Sequence, residues 1–372
     1  MGDGESAVEG LGLIGDRERF WRGKRVLVTG HTGFKGAWLI LWLHRLGAEV
    51  AGFALPPAPG LNAFALGRLD EIAHSEFGDI RDPGRLDAAF ARHRPEIVLH
   101  LAAQALVRAG YADPLGTYET NAIGTANVLM AARAQSGVRA VVVVTSDKCY
   151  DEHAGSRRHH EGDPLGGDDP YSASKACAEH ITAALRATWA GERTSVKLHV
   201  ATARAGNVIG GGDWSPDRLV PDAVAAFSSK SMLSIRNPDA VRPWQYVLDP
   251  LAAYLELART LALDDGASYA RAWNFGPSED AERSVAFVAS TLAAKWGDGA
   301  AWRAEPRGHL PERRTLRLES SAAAESFGWR TRVDLESALE HTVAWYRAFE
   351  QGRPVRELMS AEIERYESIL AA

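Results

Sequence analysis

Tyr171 and Lys175 stand four residues apart just after Asp168-Asp-Pro170. On a helix that spacing is about one turn, so the phenol and the ammonium share a face. A phenol with its ordinary pKa near ~10 is a poor base at neutral pH, and a fixed ammonium beside it favours the phenolate. The pair is therefore expected to move a proton. A second group, Thr145-Ser146-Asp147-Lys148, closes the apolar run Val141 to Val144. It offers a hydroxyl, a carboxyl and an amine at the carboxyl end of a strand, the edge of a parallel sheet where ligands bind. Taken alone it reads equally well as a capped polar turn. A third group, Gly30-His-Thr-Gly33-Phe-Lys-Gly36, follows one apolar strand and opens a helix. There Gly30 suits a tight turn, Gly33 a close approach of backbone to a pyrophosphate, and Gly36 close helix–sheet packing. The three motifs in this order point to dinucleotide-dependent chemistry at one sheet edge.

Alternating elements are needed to hold them there. Arg25-Val-Leu-Val-Thr29 reads as a strand, followed by a helix from Ala37 to Leu46 that Gly47 stops. Glu49 to Phe53, Ile97 to Leu101, Ala140 to Thr145 and Val196 to Ala201 read as further strands, and Asn121 to Arg133 and Tyr171 to Ala190 as helices. Apolar strands alternating with helices imply an α/β fold, a Rossmann-type doubly wound parallel sheet covered on both faces. After Gly206 the rhythm breaks into turns and prolines. The division expected is a dinucleotide-binding domain over 20–205, with a return segment over 243–275, and a smaller mixed substrate lobe over 206–365. Residues 1–18 are small and polar and read as a loose lead-in. Val247 to Thr260 has amphipathic helical spacing, as does Glu336 to Tyr346 with Leu339, Val343 and Tyr346 on one packing face.

Composition narrows the partners. Of 372 residues, 42 are Lys or Arg and 48 Asp or Glu, so the net charge is −6 and a basic face for nucleic acid is not expected. The longest apolar run, Ala37 to Leu43, is far below the ~20 residues of a membrane span. No basic-then-apolar leader is read at the start, and only Cys149 and Cys177 occur, which makes the cytoplasm the expected compartment. Both cysteines are expected to be small buried apolar groups. His159-His160-Glu161 lacks a third ligand at metal spacing, so no metal is expected. A dinucleotide fold commonly carries an acid ~20 residues past the glycine turn for the ribose. Here that strand runs out in Phe53-Ala54-Leu55, with neither an acid nor an arginine, so NAD and NADP stay undivided by this rule.

The glycine turn, Ser146-Asp147-Lys148 and Tyr171-x-x-x-Lys175 together resemble the extended short-chain dehydrogenase/reductases. Arg204-Ala-Gly-Asn-Val-Ile-Gly-Gly-Gly-Asp-Trp214, Arg218-Leu-Val-Pro-Asp222 and Arg242-Pro-Trp-Gln245 narrow the likeness to the CDP-glucose branch of the nucleotide-sugar 4,6-dehydratases, over roughly residues 20 to 350. The resemblance implies an internal redox cycle on a nucleotide-bound glucose with NAD. Tyr171 would take the proton of the carbon-4 hydroxyl as hydride leaves that carbon, Ser146 would hold oxygen 4, and Asp147 would protonate the departing carbon-6 hydroxyl. Related dTDP-glucose and GDP-mannose dehydratases carry a Glu where this chain has Lys148. Lys148 could serve as base at carbon 5 only when deprotonated.

The resemblance also implies cofactor contacts at Thr32, Phe34, Lys35, Leu101, Ala102, Ala103 and Thr120; Asp79 and Ile80, after Phe77, read equally as the border of an adenine ring or as a plain loop acid and its neighbour. On the sugar side it implies Asn207 at the diphosphate; Arg218 and Arg242 are candidates for the diphosphate charge, with a surface salt bridge as the other reading of each, and Trp244 is a candidate for the cleft wall. A homodimer or tetramer, paired through helices near Asn121 and Tyr171, is expected. A 4-epimerase of the same fold, or a dehydratase for a dTDP- or GDP-sugar, is the alternative. A redox sensor without chemistry is the third reading, and it would have no use for both Tyr171 and Lys175.

Overall fold

The computed structural model describes residues 19–151, 157–190, 197–305 and 315–371. The expected lead-in over 1–18 and the start of the strand expected from Val196 lie outside the described residues. Seven parallel strands form the central sheet, in the order β3-β2-β1-β4-β5-β6-β10. They are β1 (Arg25–Thr29), β2 (Glu49–Ala54), β3 (His74–Phe77), β4 (Ile97–His100), β5 (Ala140–Val144), β6 (His199–Ala205) and β10 (Ala272–Phe275). The order reverses between β1 and β4, so a crevice opens beyond their carboxyl ends, where the glycine turn emerges. This is the Rossmann-type doubly wound sheet that the apolar runs predict.

The pleat sends neighbouring side chains to opposite layers. Val26 and Val28 of β1 join the core that contains Trp38 and Leu41 of helix α1 (Phe34–Arg45), whereas Leu27 joins Phe90 of α2 (Pro83–His93) and Leu129 of α3 (Gly124–Ala134). Each fully buried side chain of this size contributes about 1.5–3 kcal/mol. A short π-helical turn, Glu119–Ile123, leads into α3 where the spacing predicts a continuous helix from Asn121. Asn121 explains the distortion's use: its side chain bonds the Gln104 carbonyl at 2.9 Å and the Ser174 hydroxyl at 2.8 Å, tying this turn to α4 (Pro170–Ala190).

Three strands of the sheet differ from the expectation or escape it, and one of them is the half-exposed edge strand β3. β6 runs four residues past its predicted end at Ala201, to Ala205, because Thr202 and Arg204 point into a buried polar network rather than ending the strand. β10 returns to the sheet edge beside β6 after α6 (Leu248–Ala262) has crossed the core. The remaining strands are smaller. β7 (Asn207–Ile209), β9 (Val241–Tyr246) and β11 (Glu282–Ser284) form one sheet, and β8 (Leu233–Ile235) pairs with β12 (Trp302–Ala304). The packing face expected for Glu336 to Tyr346 is buried in α8 (Leu335–Glu350). Cys149 is buried as expected, while Cys177 is half-buried. Among the described residues no helix is long and apolar enough to cross a membrane.

Candidate active site

Two adjoining cavities of about 300 and 290 Å³ lie over the carboxyl ends of the parallel strands. Phe34, Lys35, Leu101, Ala103 and Arg218 line both and form the wall between them. The first cavity is also lined by Ser146, Asp147, Lys148, Tyr171 and Lys175. Asn207, Arg242 and Trp244 of the smaller sheet close its far side. The second is lined by Gly30, Thr32, Gly33, Gly36, Ala102 and Thr120, with Asp79 and Ile80 at one end. Every residue singled out from the sequence thus borders one cavity or the other.

The glycine turn fits a dinucleotide phosphate. Gly30 sits at φ +75°, and a Cβ there would lie 2.6 Å from the Ala102 amide nitrogen. A Cβ on Gly36 would lie 2.1 Å from the Gly30 carbonyl oxygen, so Gly36 serves the turn itself rather than helix–sheet packing. A Cβ on Gly33 would meet nothing closer than 3.4 Å, which leaves this position facing the open cavity. Gly33 is also the N-cap of α1 and provides no side-chain bond, so the amides of the first turn stay available to an anion. Gly30→Ala is expected to lower the melting temperature and weaken dinucleotide binding, since the left-handed conformation alone costs a non-glycine residue about 1–2 kcal/mol. Unchanged melting and unchanged NAD titration would count against this role.

At the end of β2, Leu55 uses its carbonyl to accept the Thr32 hydroxyl at 3.0 Å, and no carboxylate from this strand lines the cavity. Asp79 is a loop acid held by Arg81 at 2.7 Å, and that guanidinium keeps its carboxyl below the usual range.

The turn at the end of β5 is built on Ser146. Its hydroxyl caps a 3₁₀ turn over Asp147–Cys149 by accepting the Lys148 amide at 3.2 Å, and it donates to Asp147 Oδ1 at 2.9 Å. Asp147 is 3% exposed. Tyr171 comes to the same point from α4, and burial pushes its phenol up to about 12, against the pull of the hydrogen-bonded Ser146 hydroxyl and the Arg218 charge. Lys175 donates to the Val144 carbonyl at 3.2 Å, and burial lowers its ammonium to about 8. These shifts correct the expectation from spacing alone. The two side chains do share the cavity, but the ammonium is turned to the end of β5, and burial outweighs nearby positive charge at the phenol.

Several lining residues carry no local signal. Arg108 and Arg236, from distant parts of the chain, converge on Asp217 at 2.8 and 3.5 Å, and Arg218 faces Asp213 at 3.8 Å. Asp222, beside Asp217 and Asp213, is pushed up to about 6, chiefly by burial. Arg242 is 5% exposed, too buried for a surface ion pair. Tyr254 of α6 reaches the dividing wall, where Lys35 Nζ donates to its hydroxyl at 3.3 Å. Burial and the neighbouring Lys175 and Arg218 charges lower Lys35 to about 7. His159 stacks on Tyr150 with ring centroids 4.5 Å apart, and Glu161 accepts the Asn274 amide at 2.9 Å. Among the described residues no group of three His, Cys, Asp or Glu is placed to hold a metal.

Sheet, glycine turn and Tyr–Lys helix define a dinucleotide-dependent enzyme of the extended reductase type. Residues 26–271 match the NAD dependent epimerase/dehydratase family, and the chain belongs to it. The chain is 43% identical to the CDP-glucose 4,6-dehydratase of Salmonella typhimurium over 94% of its own length and 98% of the relative's. It superimposes with a TM-score of 0.74 on a double mutant of dTDP-glucose 4,6-dehydratase from Streptomyces venezuelae with NAD bound, at 26% identity, covering 88% of this chain and 98% of the other. The UDP-glucose 4-epimerase of Thermus thermophilus in complex with NAD gives a TM-score of 0.72 at 26% identity, covering 87% of this chain and 99% of the other.

Proposed function

We propose that this protein is a CDP-glucose 4,6-dehydratase that converts CDP-D-glucose to CDP-4-keto-6-deoxy-D-glucose and water. The observation that carries the reading is that Asp147 and Tyr171 meet through Ser146 in one cavity, in a chain so similar to a CDP-glucose 4,6-dehydratase. NAD, when bound, supplies a cationic ring that accepts hydride from carbon 4 and returns it to carbon 6. Thr32, Phe34, Lys35 and the glycine turn would hold it, together with Leu101, Ala102, Ala103 and Thr120 of the same cavity.

Tyr171 takes the proton of the carbon-4 hydroxyl, and Ser146 keeps oxygen 4 in line. The resulting ketone acidifies carbon 5, whose proton passes to Lys148. Asp147 donates its proton to the carbon-6 hydroxyl, which leaves as water and gives an alkene between carbons 5 and 6. After hydride return to carbon 6, the proton held by Lys148 goes back to carbon 5. Asn207, Arg218 and Arg242 face the diphosphate and Trp244 walls the sugar, with Arg108 and Arg236 adding charge at the mouth.

The cofactor body is taken as 20–205 with 243–275, and the substrate lobe as 206–365. Exposed Leu115, Ile123 and Met130, on the helical run beside α4, support pairing with a second copy as a homodimer. Cys149 and Cys177 are not joined in a disulfide, which suits the cytoplasm.

A 4-epimerase shares the Tyr–Lys pair but has no use for an acid at Asp147. Incubation with CDP-glucose is expected to yield a product with the alkaline absorbance of a 4-keto-6-deoxy sugar. CDP-galactose in its place would reject the dehydratase. A panel of dTDP-, GDP- and UDP-glucose tests the nucleotide.

A further inference from the structure

The six residues from Thr145 to Tyr150 carry Ser146, Asp147 and Lys148, and both ends of this segment are tied to one buried ion pair. Glu179 lies on α4 one helical turn past Lys175 and is 3% exposed, and Arg204 on β6 is 2% exposed. Arg204 Nη2 donates to Glu179 Oε2 at 2.7 Å. The other Glu179 oxygen accepts the Thr145 hydroxyl, and Thr202 donates to Oε2 at 2.8 Å. Arg204 Nη1 donates to the Tyr150 hydroxyl at 2.8 Å and to the Glu161 carbonyl at 3.0 Å. Tyr150 in turn donates to Asn274 Oδ1 at 2.6 Å, which links the segment to β10.

Burying two charges is expensive, and a well-packed apolar pair often serves stability as well or better. The use of this pair is better sought in what it holds. We propose that Glu179 and Arg204 are positioning residues for the reaction: Glu179 fixes the Thr145 end of the catalytic turn, Arg204 fixes the Tyr150 end, and the Glu179 carboxylate stands one helical turn from Lys175 on α4. No part of the pair touches the cavity, so it acts through the turn and the lysine. Lys175 faces the Cys149 thiol, the His100 imidazole, Lys35 and Glu179 from the elements packed around it. Burial holds His100 neutral, and the Cys149 sulfur together with the Glu179 carboxylate opposes the burial of Lys175. Glu179 itself stays ionised below the usual carboxylate range, through Arg204 and the two threonine hydroxyls against the effect of burial.

The proposal rests on the dehydratase reading for its kinetic test and on the fold alone for its second test. Glu179→Gln keeps the side-chain shape and removes the charge. It is expected to lower kcat with CDP-glucose by about 10²-fold, the cost of a small misplacement of reacting groups, with KM nearly unchanged. The alkaline fall of kcat should move to lower pH by about one unit or more, because Lys175 loses its proton more readily. E179Q leaves Arg204 without a counter-ion, so the double variant E179Q/R204M is measured beside it. With both charges gone it should fold, show the same loss of kcat and the same shifted alkaline limb. A folded double variant with wild-type kcat and pH profile overturns the proposal.

The second test needs no substrate. Cys149 is fully buried inside the clamped segment, and the half-buried Cys177 on α4 serves as internal reference. In the double variant, a thiol reagent is expected to label Cys149 at least about tenfold faster while Cys177 keeps its rate, as local opening of the turn requires. Unchanged protection of Cys149 overturns the proposal. Should the wild type leave CDP-glucose untouched, the substrate reading fails and the labelling rates alone decide the clamp.

Discussion

Turnover of CDP-glucose is expected to fall by about 10²–10⁴-fold when Tyr171 is replaced by Phe, the range that a positioned acid–base group supplies. Phenylalanine keeps the ring in its buried place on α4, and Ser146 keeps its bond to Asp147, so folding should survive. The loss is chemical: the carbon-4 hydroxyl has no acceptor for its proton. Burial holds the phenol up at about 12, so the competent phenolate is a minor form at neutral pH unless positive charge accumulates beside it. The sign of the pH dependence follows. In the wild type kcat/KM should rise with pH as the phenolate fraction grows, and in Tyr171→Phe this rising limb should vanish. Initial rates from the alkaline absorbance of the product, taken across pH with melting temperature as control, check both points. A variant within threefold of wild type would move the base elsewhere in the cavity.

Asp147→Asn is expected to reduce product formation by a similar about 10²–10⁴-fold, but at a different step. Asparagine is nearly isosteric and still accepts the Ser146 hydroxyl, so the turn keeps its shape. It has no acidic proton for the departing carbon-6 hydroxyl, however, and water cannot leave. Oxidation at carbon 4 and loss of the carbon-5 proton need no acid here. In deuterated water the variant should therefore place deuterium on carbon 5 of the recovered nucleotide sugar while releasing almost no deoxy product. Mass spectrometry of recovered sugar separates the two. Near-normal dehydration by the asparagine variant would remove Asp147 from the acid's role. An epimerase, with no hydroxyl to expel, would lose little in the same experiment.

These two expectations depend on a division of labour inside the cavity. Ser146 touches both Tyr171 and Asp147, so one hydroxyl ties the group proposed to act at carbon 4 to the group proposed to act at carbon 6. Both groups are buried, which keeps bulk water from quenching the charge that develops in each step. Lys148 follows directly on the same turn. An amine there must give up its proton before it can act; nearby, burial with the Lys175 and Arg218 charges lowers Lys35 to about 7, and burial lowers Lys175 to about 8.

The sequence by itself determined the elements and motifs whose cause is local. β1, β4 and β5 are legible because a fully covered strand must be apolar throughout, and the glycine turn because left-handed backbone at Gly30 suits a residue without Cβ. Tyr171 and Lys175 are legible because one helical turn places them on one face. The tertiary structure decided the rest. β3, His-Ser-Glu-Phe, is a half-exposed edge strand with no periodic signature, and β10 returns to the far edge only after α6 has crossed the core. Arg108 and Arg236 meet at Asp217, and Glu179 meets Arg204, across gaps no local pattern spans. The direction of the Tyr171 shift was likewise decided in three dimensions. Spacing and turn chemistry act over a few residues and so are written along the chain, whereas burial, charge and pairing at a sheet edge depend on neighbours that only folding brings within reach.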